Sequence, residues 1–338
     1  MTDYQITIKN AVLHILDTNV GTPVFSNKEI ELDLEISDFL ENITSKMLND
    51  DNLKNTVFLE SSNPVREACL RFKEGQTGFL DLSRQFAEEL YQMMFENLDI
   101  PAADLICTYL SIDDQMFLGI FKLNYRSGYI HFVEYEGETN VNRLVKQKTV
   151  LPGDNQKPEE SILINLDDLT IRLIEKQYEI MGEKEYYLSK RFLGCQDQLS
   201  SLQKAQIISK VAEKVNKKYN TEEVDCIARL RKTVTESIDD LKTVGVENVA
   251  RQIFHDNPMA QREYVEEIKQ AGIQEAEVNL SAKVTDRKFR NQKIKTDTGI
   301  EIYFPSTYYN NKEIIEFVNQ PNGTVSIIIK NIGKILNK

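Results

Sequence analysis

Histidine is nearly absent from this chain of 338 residues; His14, His131 and His255 are all it has. None has a second histidine at metal-ligand spacing, so each reads as an ordinary core or surface residue. Cysteine is almost as scarce. Cys69, Cys107, Cys195 and Cys226 lie far apart with no C-x-x-C pair. That spacing disfavours a zinc site and a disulfide framework, and predicts free buried thiols in a reducing compartment. No apolar run reaches the ~18–20 residues of a membrane span. The opening Met1–Thr2–Asp3–Tyr4–Gln5–Ile6 has neither a basic n-region nor an apolar h-region, so no signal peptide is expected. The chain reads as soluble and cytoplasmic. Neither G-x-x-x-x-G-K-[ST] nor G-x-G-x-x-G occurs, which leaves no visible cradle for a nucleotide phosphate. Nor does G-x-S-x-G or a cysteine-nucleophile box. No cofactor is expected, and the leading reading is a protein that is not an enzyme.

What is present suffices for a folded core. Hydrophobic residues make up 41% and aromatics 9%, which argues against disorder, and the length allows two domains. The formal charge is −12, unevenly spread. Residues 1–183 carry a net −16, 184–232 a net +5, 233–280 a net −6 and 281–338 a net +5. Two readings fit. A polyanion-binding part stands beside one that must avoid polyanions, or the opposite charges pair within the protein.

The patterning predicts an α+β protein: an N-terminal antiparallel sheet with packed helices, a helical middle segment and a small C-terminal β-rich module. The boundary falls between an acidic α+β domain, 1–182, and a basic helical-plus-β domain, 183–338. "DYQITIKNAVLHILD" reads as a strand. "LEISDFLENITSKMLNDD" has helical spacing, with Ser37 or Asp38 as its cap. "NPVREACLRFKEG" reads as a short helix opened by Pro64 and closed by Gly75. In "GFLDLSRQFAEELYQMMFENLD" the stripe Phe79, Leu82, Phe86, Leu90, Met93 and Met94 marks the best helix of the first half. "ADLICTYLSI", "QMFLGIFKLNY" and "GYIHFVEYEG", parted by Asp113–Asp114 and Arg126–Ser127–Gly128, read as a three-stranded meander with helices on one face. Later, "DQLSSLQKAQIISKVAEKVNKKYN" and "TEEVDCIARLRKTVTESIDDLK" read as helices, the second capped by Thr221. The β-pattern returns at "AEVNLSAKV", and Pro321–Asn322–Gly323 marks a hairpin turn.

The basic residues are the most informative. At ~100° per residue, Lys210, Lys214, Lys217 and Lys218 share one edge of a helix beside its apolar stripe. Arg229, Arg231 and Lys232 lie on the next helix. A second cluster holds Lys283, Arg287, Lys288, Arg290, Lys293 and Lys295, interrupted by Phe289 and followed by Tyr303, Phe304, Tyr308 and Tyr309. Lys190 and Arg191 form a smaller pair. Cations track phosphates, and an exposed aromatic beside them can stack on a base. The plain alternative is solvated faces and core aromatics, favoured for Tyr303 or Phe304. No zinc-finger, RNP1 or bZIP pattern occurs. Carboxylates supply a rival reading, a Mg²⁺-dependent nuclease or phosphodiesterase built from Glu134, Glu136, Asp113 or Asp114 with Lys122 polarising a phosphate. Adjacent acids such as Asp113–Asp114, Asp167–Asp168 and Asp239–Asp240 are ordinary turn chemistry as well.

Four collinear segments carry a resemblance. They are "ITIKNAVLHILD", "SIDDQMFLGIFKLNY", "YYLSKRFLGCQD" and "TGIEIYFPSTYYNN…EIIEFVNQPNGTVSIIIKNI". With a mass of 39.0 kDa, the chain resembles the bacterial nucleoid-associated protein NdpA family, the 37-kDa class. The resemblance implies a DNA-associated protein of the nucleoid, cytoplasmic and without catalysis. It assigns no residue to DNA. From charge placement, the expected partner is double-stranded DNA, bound with little sequence preference through the basic patches of the C-terminal half. No membrane partner is expected. A homodimer, or a protein partner met through the acidic N-terminal half, is a further expectation. The third reading is an interaction scaffold whose basic patches only pair with its own acids.

Overall fold

The computed structural model describes all residues except 1–3, 60, 61, 138, 152, 154, 155, 220–222, 322, 337 and 338, with backbone alone at 136, 139, 223, 224 and 319. The mixed α+β class expected from the patterning is what forms. The chain divides into two compact units, 1–198 and 199–338.

In the first unit the elements run β1 (Ile6–Leu16), α1 (Leu34–Leu48), β2 (Lys54–Val57), α2 (Pro64–Lys73), α3 (Phe79–Glu96), β3 (Ala103–Ile112), β4 (Gln115–Asn124), β5 (Arg126–Glu136), β6 (Thr139–Val150), β7 (Glu160–Asn165), β8 (Thr170–Ile174), β9 (Tyr178–Ile180) and β10 (Glu183–Glu185). A π-helical turn at Leu188–Phe192 follows. Helix α1 starts earlier than Ser37 or Asp38. Asp33 caps it, its carboxylate accepting from the Ile36 N–H at 2.8 Å. Asn63 caps α2, with Pro64 in the first turn and Gly75 in the left-handed region just beyond the end, as read. On α3, Phe79, Leu82, Phe86, Leu90 and Met94 are buried.

Six strands form one antiparallel sheet in the order β1-β3-β4-β7-β8-β2. Both faces are covered. Leu105, Cys107, Leu118, Ile120, Ile162 and Ile164 point to the side of α2 and α3. Ile106, Leu110, Phe117, Phe121 and Leu163 point to α1. The helices therefore pack on two faces, and the expectation of one face is corrected. The signal lay in the strands themselves, since "LIC", "FLGIF" and "ILI" are unbroken runs without a polar residue, and a strand with one wet face alternates.

The three-stranded meander is also corrected. β3 and β4 make a hairpin whose turn residues Asp113 and Asp114 both have positive φ, 48° and 66°, as a tight primed turn requires. The next strand against β4 is β7, all six of whose residues are buried. β5 turns away and pairs only with β6. Arg126–Ser127–Gly128, read as a turn, is a β-bulge at the start of that ribbon.

Among the described residues, two buried ion pairs stand in this unit. Lys122, 2% exposed, donates to Glu160 at 2.8 Å; Asn124 and Tyr178 donate to the same carboxylate oxygen at 3.0 and 2.8 Å. Burial pulls the Lys122 pKa down, against the opposing pull of Glu160. Lys54 pairs with Glu175 at 2.9 Å, and the second Glu175 oxygen accepts from the Ser189 N–H at 3.0 Å. That bond ties the "LSKRF" turn to the sheet. Leu188, Phe192, Leu193 and Cys195 complete the core beside α2 and α3, so residues 183–198, grouped by sequence with the second half, belong to the first compact unit.

The second unit runs α4 (Ser201–Tyr219), α5 (Glu223–Leu241), β11 (Val244–Gly245), α6 (Val246–Ile253), α7 (Pro258–Gln270), β12 (Glu277–Val278), α8 (Ala282–Lys288), β13 (Asn291–Lys295), β14 (Glu301–Pro305), a 3₁₀ turn at Ser306–Tyr308, β15 (Ile315–Asn319) and β16 (Val325–Ile329). The apolar stripe of α4 (Ala205, Ile208, Val211, Ala212, Val215) joins Leu230, Val234, Val249, Ile253, Tyr264 and Ile268 in one core. "AEVNLSAKV" gives only the two-residue β12. Ser281 then caps α8, its hydroxyl accepting from the Val284 N–H, so the first basic residues of the second cluster are helical. The Thr221 cap and Asn322 of the expected turn lie outside the described residues.

Each cysteine is buried, and none is in a disulfide. Burial pushes the Cys69 thiol up to about 12 and the Cys195 thiol up to about 11. His14 is fully buried in β1; its Nδ1 accepts from the Ser26 N–H, which leaves Nε2 to donate to the Ser83 hydroxyl at 3.0 Å. Burial, helped by Arg84, lowers its pKa to about 4.

Two predictions follow from these buried polar groups. Lys122→Met, which strands the Glu160 carboxylate, should cost about 3–5 kcal/mol in urea unfolding, and adding Glu160→Leu should recover much of it. The unfolded chain, with histidine near 6.5, binds a proton over a range where folded His14 does not. Acidification from about pH 7 to about pH 5 should therefore cost the native protein about 2 kcal/mol that His14→Gln does not lose.

Candidate nucleic-acid interface

The second unit holds 22 basic and 19 acidic residues, a net +3, against 19 basic and 34 acidic, a net −15, in the first. Most of its candidate cations nevertheless have internal partners. On α4 the buried stripe fixes the rotation of the helix, and two of the four lysines turn toward α7. Lys214 reaches both oxygens of Glu267 at 2.7 Å. Lys218 reaches those of Glu263 at 2.6 and 2.7 Å, and the Tyr219 hydroxyl donates to the same carboxylate at 2.9 Å. These bonds raise the Lys218 pKa and lower that of Glu263. Lys210 and Lys217, two turns apart, are exposed and pair with no described carboxylate.

The α5 cations are structural ties. Arg229 is 2.6 Å from Asp225 and touches His255. Arg231 is half-buried, its guanidinium donates to the Asn291 carbonyl at 3.2 Å, and burial lowers its pKa. Lys232 donates to the Tyr309 carbonyl at 3.1 Å. These two bonds hold α5 to the strands and turn that follow α8.

The second cluster is knitted inward too. Arg290 grips both oxygens of Asp239 at 2.9 and 2.7 Å, and its Nε donates to Asp286 at 2.9 Å. Those bonds raise its pKa. Lys293 and Lys295 share Glu301 at 3.1 and 4.0 Å. Lys283 and Arg287 have partners; Lys288 is exposed with none among the described residues. Phe289 and Tyr309 are buried, which removes both as stacking platforms. Phe304 is half-buried, while Tyr303 and Tyr308 are exposed. Lys190 and Arg191 sit in the π-helical turn of the first unit; Arg191 pairs with Glu185 at 2.6 Å, and Lys190 is exposed.

Three cations escaped the sequence reading. Arg251 on α6 and Arg262 and Lys269 on α7 are exposed and line a groove of about 350 Å³ with Glu247 and Glu266. They lie in the block that counts as net −6, so block charge hid them. The available signal was two helices of 8 and 13 residues joined by a four-residue turn.

The carboxylates are placed differently from the nuclease reading. Asp113 and Asp114 form the β3–β4 turn, with Asp113 accepting from the Gln5 N–H. Glu134 pairs with Arg143 at 2.8 Å on the β5–β6 ribbon. The Glu136 side chain lies outside the described residues. Asp168 accepts from Thr170, and Asp239 holds Arg290. Lys122, weighed as the phosphate-polarising cation, is buried against Glu160 and faces no surface. Among the described residues no three metal-ligating side chains stand together, and no helix is long and apolar enough to cross a membrane.

Residues 12–337 match the model of the family described as nucleoid-associated protein YejK. No curated protein matches the chain.

Proposed function

The chain belongs to the nucleoid-associated protein YejK family, and we propose that its nucleoid role is exercised through weak, largely sequence-independent binding of double-stranded DNA by the second unit. The observation that carries this reading is Lys210 and Lys217 on the open face of α4, solvent-facing and paired with no described carboxylate, in a unit of net positive charge. Lys288, Arg251, Arg262 and Lys269 are further exposed cations of the same unit that pair with no described carboxylate. In this reading the cations displace counterions condensed on the duplex, so the log of affinity falls with the log of salt by about 0.9 per phosphate neutralised. The net −15 of the first unit keeps it off the duplex.

The paired lysines set the strength of binding. Glu263 and Glu267 hold Lys214 and Lys218 in exposed ion pairs, and such pairs hold weakly. A phosphate entering there meets two carboxylates as well as two ammonium groups. The family role and the free cations together favour DNA over the nuclease and scaffold readings.

Gel shifts and anisotropy across a salt series test this. Lys210→Ala with Lys217→Ala should weaken binding about equally for unrelated duplexes and reduce the salt slope by about 1.8. Glu263→Gln with Glu267→Gln should act oppositely and raise affinity. An absence of binding at ~50 mM salt, where electrostatic binding is strong, overturns the proposal in favour of a protein scaffold. Metal-dependent shortening of the DNA overturns it in favour of a nuclease.

A further inference from the structure

A polar groove of about 380 Å³ lies between α5, α6 and the chain just after the 3₁₀ turn. Its floor is one face of α5, on which Arg229, Lys232, Thr233, Glu236, Ser237 and Asp240 recur at helical spacing. Of the described residues that line it, only Leu241 is apolar. Thr233 and Ser237 are 7% and 6% exposed, yet neither hydroxyl bonds to a described residue. A hydroxyl on a buried residue ordinarily finds a partner, in a helix often the carbonyl one turn back. The side chains of Asp240, Asn248, Gln252 and Asn310 also reach the groove and bond to no described residue. Six polar side chains thus converge on one hollow without a partner among the described residues.

The charges are ordered along the groove. Arg229 and Lys232 stand at one end, and Glu236 and Asp240 continue toward the other. Lys232 and Asp240 are about 12 Å apart along the axis, at ~1.5 Å per residue. Both cations keep free donors. Arg229 spends N–H groups on Asp225 and His255, and Lys232 spends one on the Tyr309 carbonyl. Lys232 and Glu236, 3.9 Å apart, are too distant for a hydrogen bond. Arg229 touches His255 just past the end of α6, so α6 runs back along α5. Gln252 therefore lies toward the cationic end and Asn248 toward the acidic one.

We propose that this groove binds a short zwitterion of the tripeptide class, its ammonium at Glu236 and Asp240 and its carboxylate at Arg229 and Lys232. An extended tripeptide is about 10 Å long at ~3.3 Å per residue, which suits the charge spacing. Each of its peptide groups carries a donor and an acceptor. The amides of Asn248, Gln252 and Asn310 and the two hydroxyls offer the matching groups. A DNA phosphate is the disfavoured occupant, because two carboxylates face it. A divalent cation is disfavoured too, since no three metal-ligating side chains stand together among the described residues. An apolar ligand finds only Leu241.

Titration of the full chain with triglycine, read by saturation-transfer NMR, tests the site. The wild type should bind with a millimolar or tighter Kd. Acetylating the amino end of the probe, or amidating its carboxyl end, should weaken binding about tenfold each, the worth of a hydrogen bond to a charged group. Glu236→Gln with Asp240→Asn should weaken triglycine by a similar factor and leave the affinity for the acetylated probe unchanged. The melting transition should not move, because both side chains are exposed. An absence of binding at ~10 mM triglycine overturns the proposal. So does equal affinity for the acetylated probe, or indifference to Glu236→Gln with Asp240→Asn. Tighter binding of spermidine than of triglycine overturns it in favour of a polyamine site. The Lys210→Ala, Lys217→Ala variant leaves the groove intact, and the groove variant leaves those lysines intact, so the two proposals fail separately.

Discussion

Burial of a single sheet on both faces is the constraint from which the first unit follows. A strand in that position has no wet side, so β3, β4 and β7 put apolar residues on both faces through their middles, and helices must cover each face. The charges left inside come in pairs. Lys122 has Glu160, and Lys54 has Glu175. The second pair reaches further, because the Glu175 carboxylate also fixes the backbone of the π-helical turn. The most distinctive short segment of the sequence is thus held by a charge pair that could not be left half-made. The same constraint expels β5 and β6. Their mixed residues, with tyrosine, histidine and glutamate among the aliphatics, cannot occupy a slot closed on both sides. β7, with every residue buried, takes it.

Elements were legible where a period was strong. The 3.6-residue stripes of α3 and α4 and the Asn63–Pro64 start of α2 appear in the structure as read. What was not legible was pairing between distant segments. β4 looked as though it should meet the next β-rich run, because local order is the natural prior. The actual neighbour comes after a whole inserted ribbon. The unbroken apolar runs carried the correct message about the two covered faces, but a reading tuned to alternation passed over them. Helix starts shifted for a similar local reason: Asp33, Ser37 and Asp38 are all competent caps, and only the backbone decides among them.

Charge was the least legible property. Counting along the chain treats each block as a surface, whereas the fold pairs residues across blocks. Lys214 and Glu267 are 53 positions apart and belong to segments of opposite net sign. Their contact cancels a cation that the count had awarded to the surface. The reverse happened on α6 and α7, where an acidic block keeps Arg251, Arg262 and Lys269 in the open. What remains after this cancellation is a modest set of free cations, suited to loose, reversible contact with a polyanion.

The four buried thiols place a reporter inside each half of the molecule. Cys69, Cys107 and Cys195 lie in the core of the first unit and Cys226 in that of the second. Burial raises the three thiols of the first unit, and a thiol shielded from solvent is inert until its surroundings open. Alkylation under native conditions is thereby a clock for each half separately. Three modifications time the breathing of the sheet, and one times the breathing of the helical bundle.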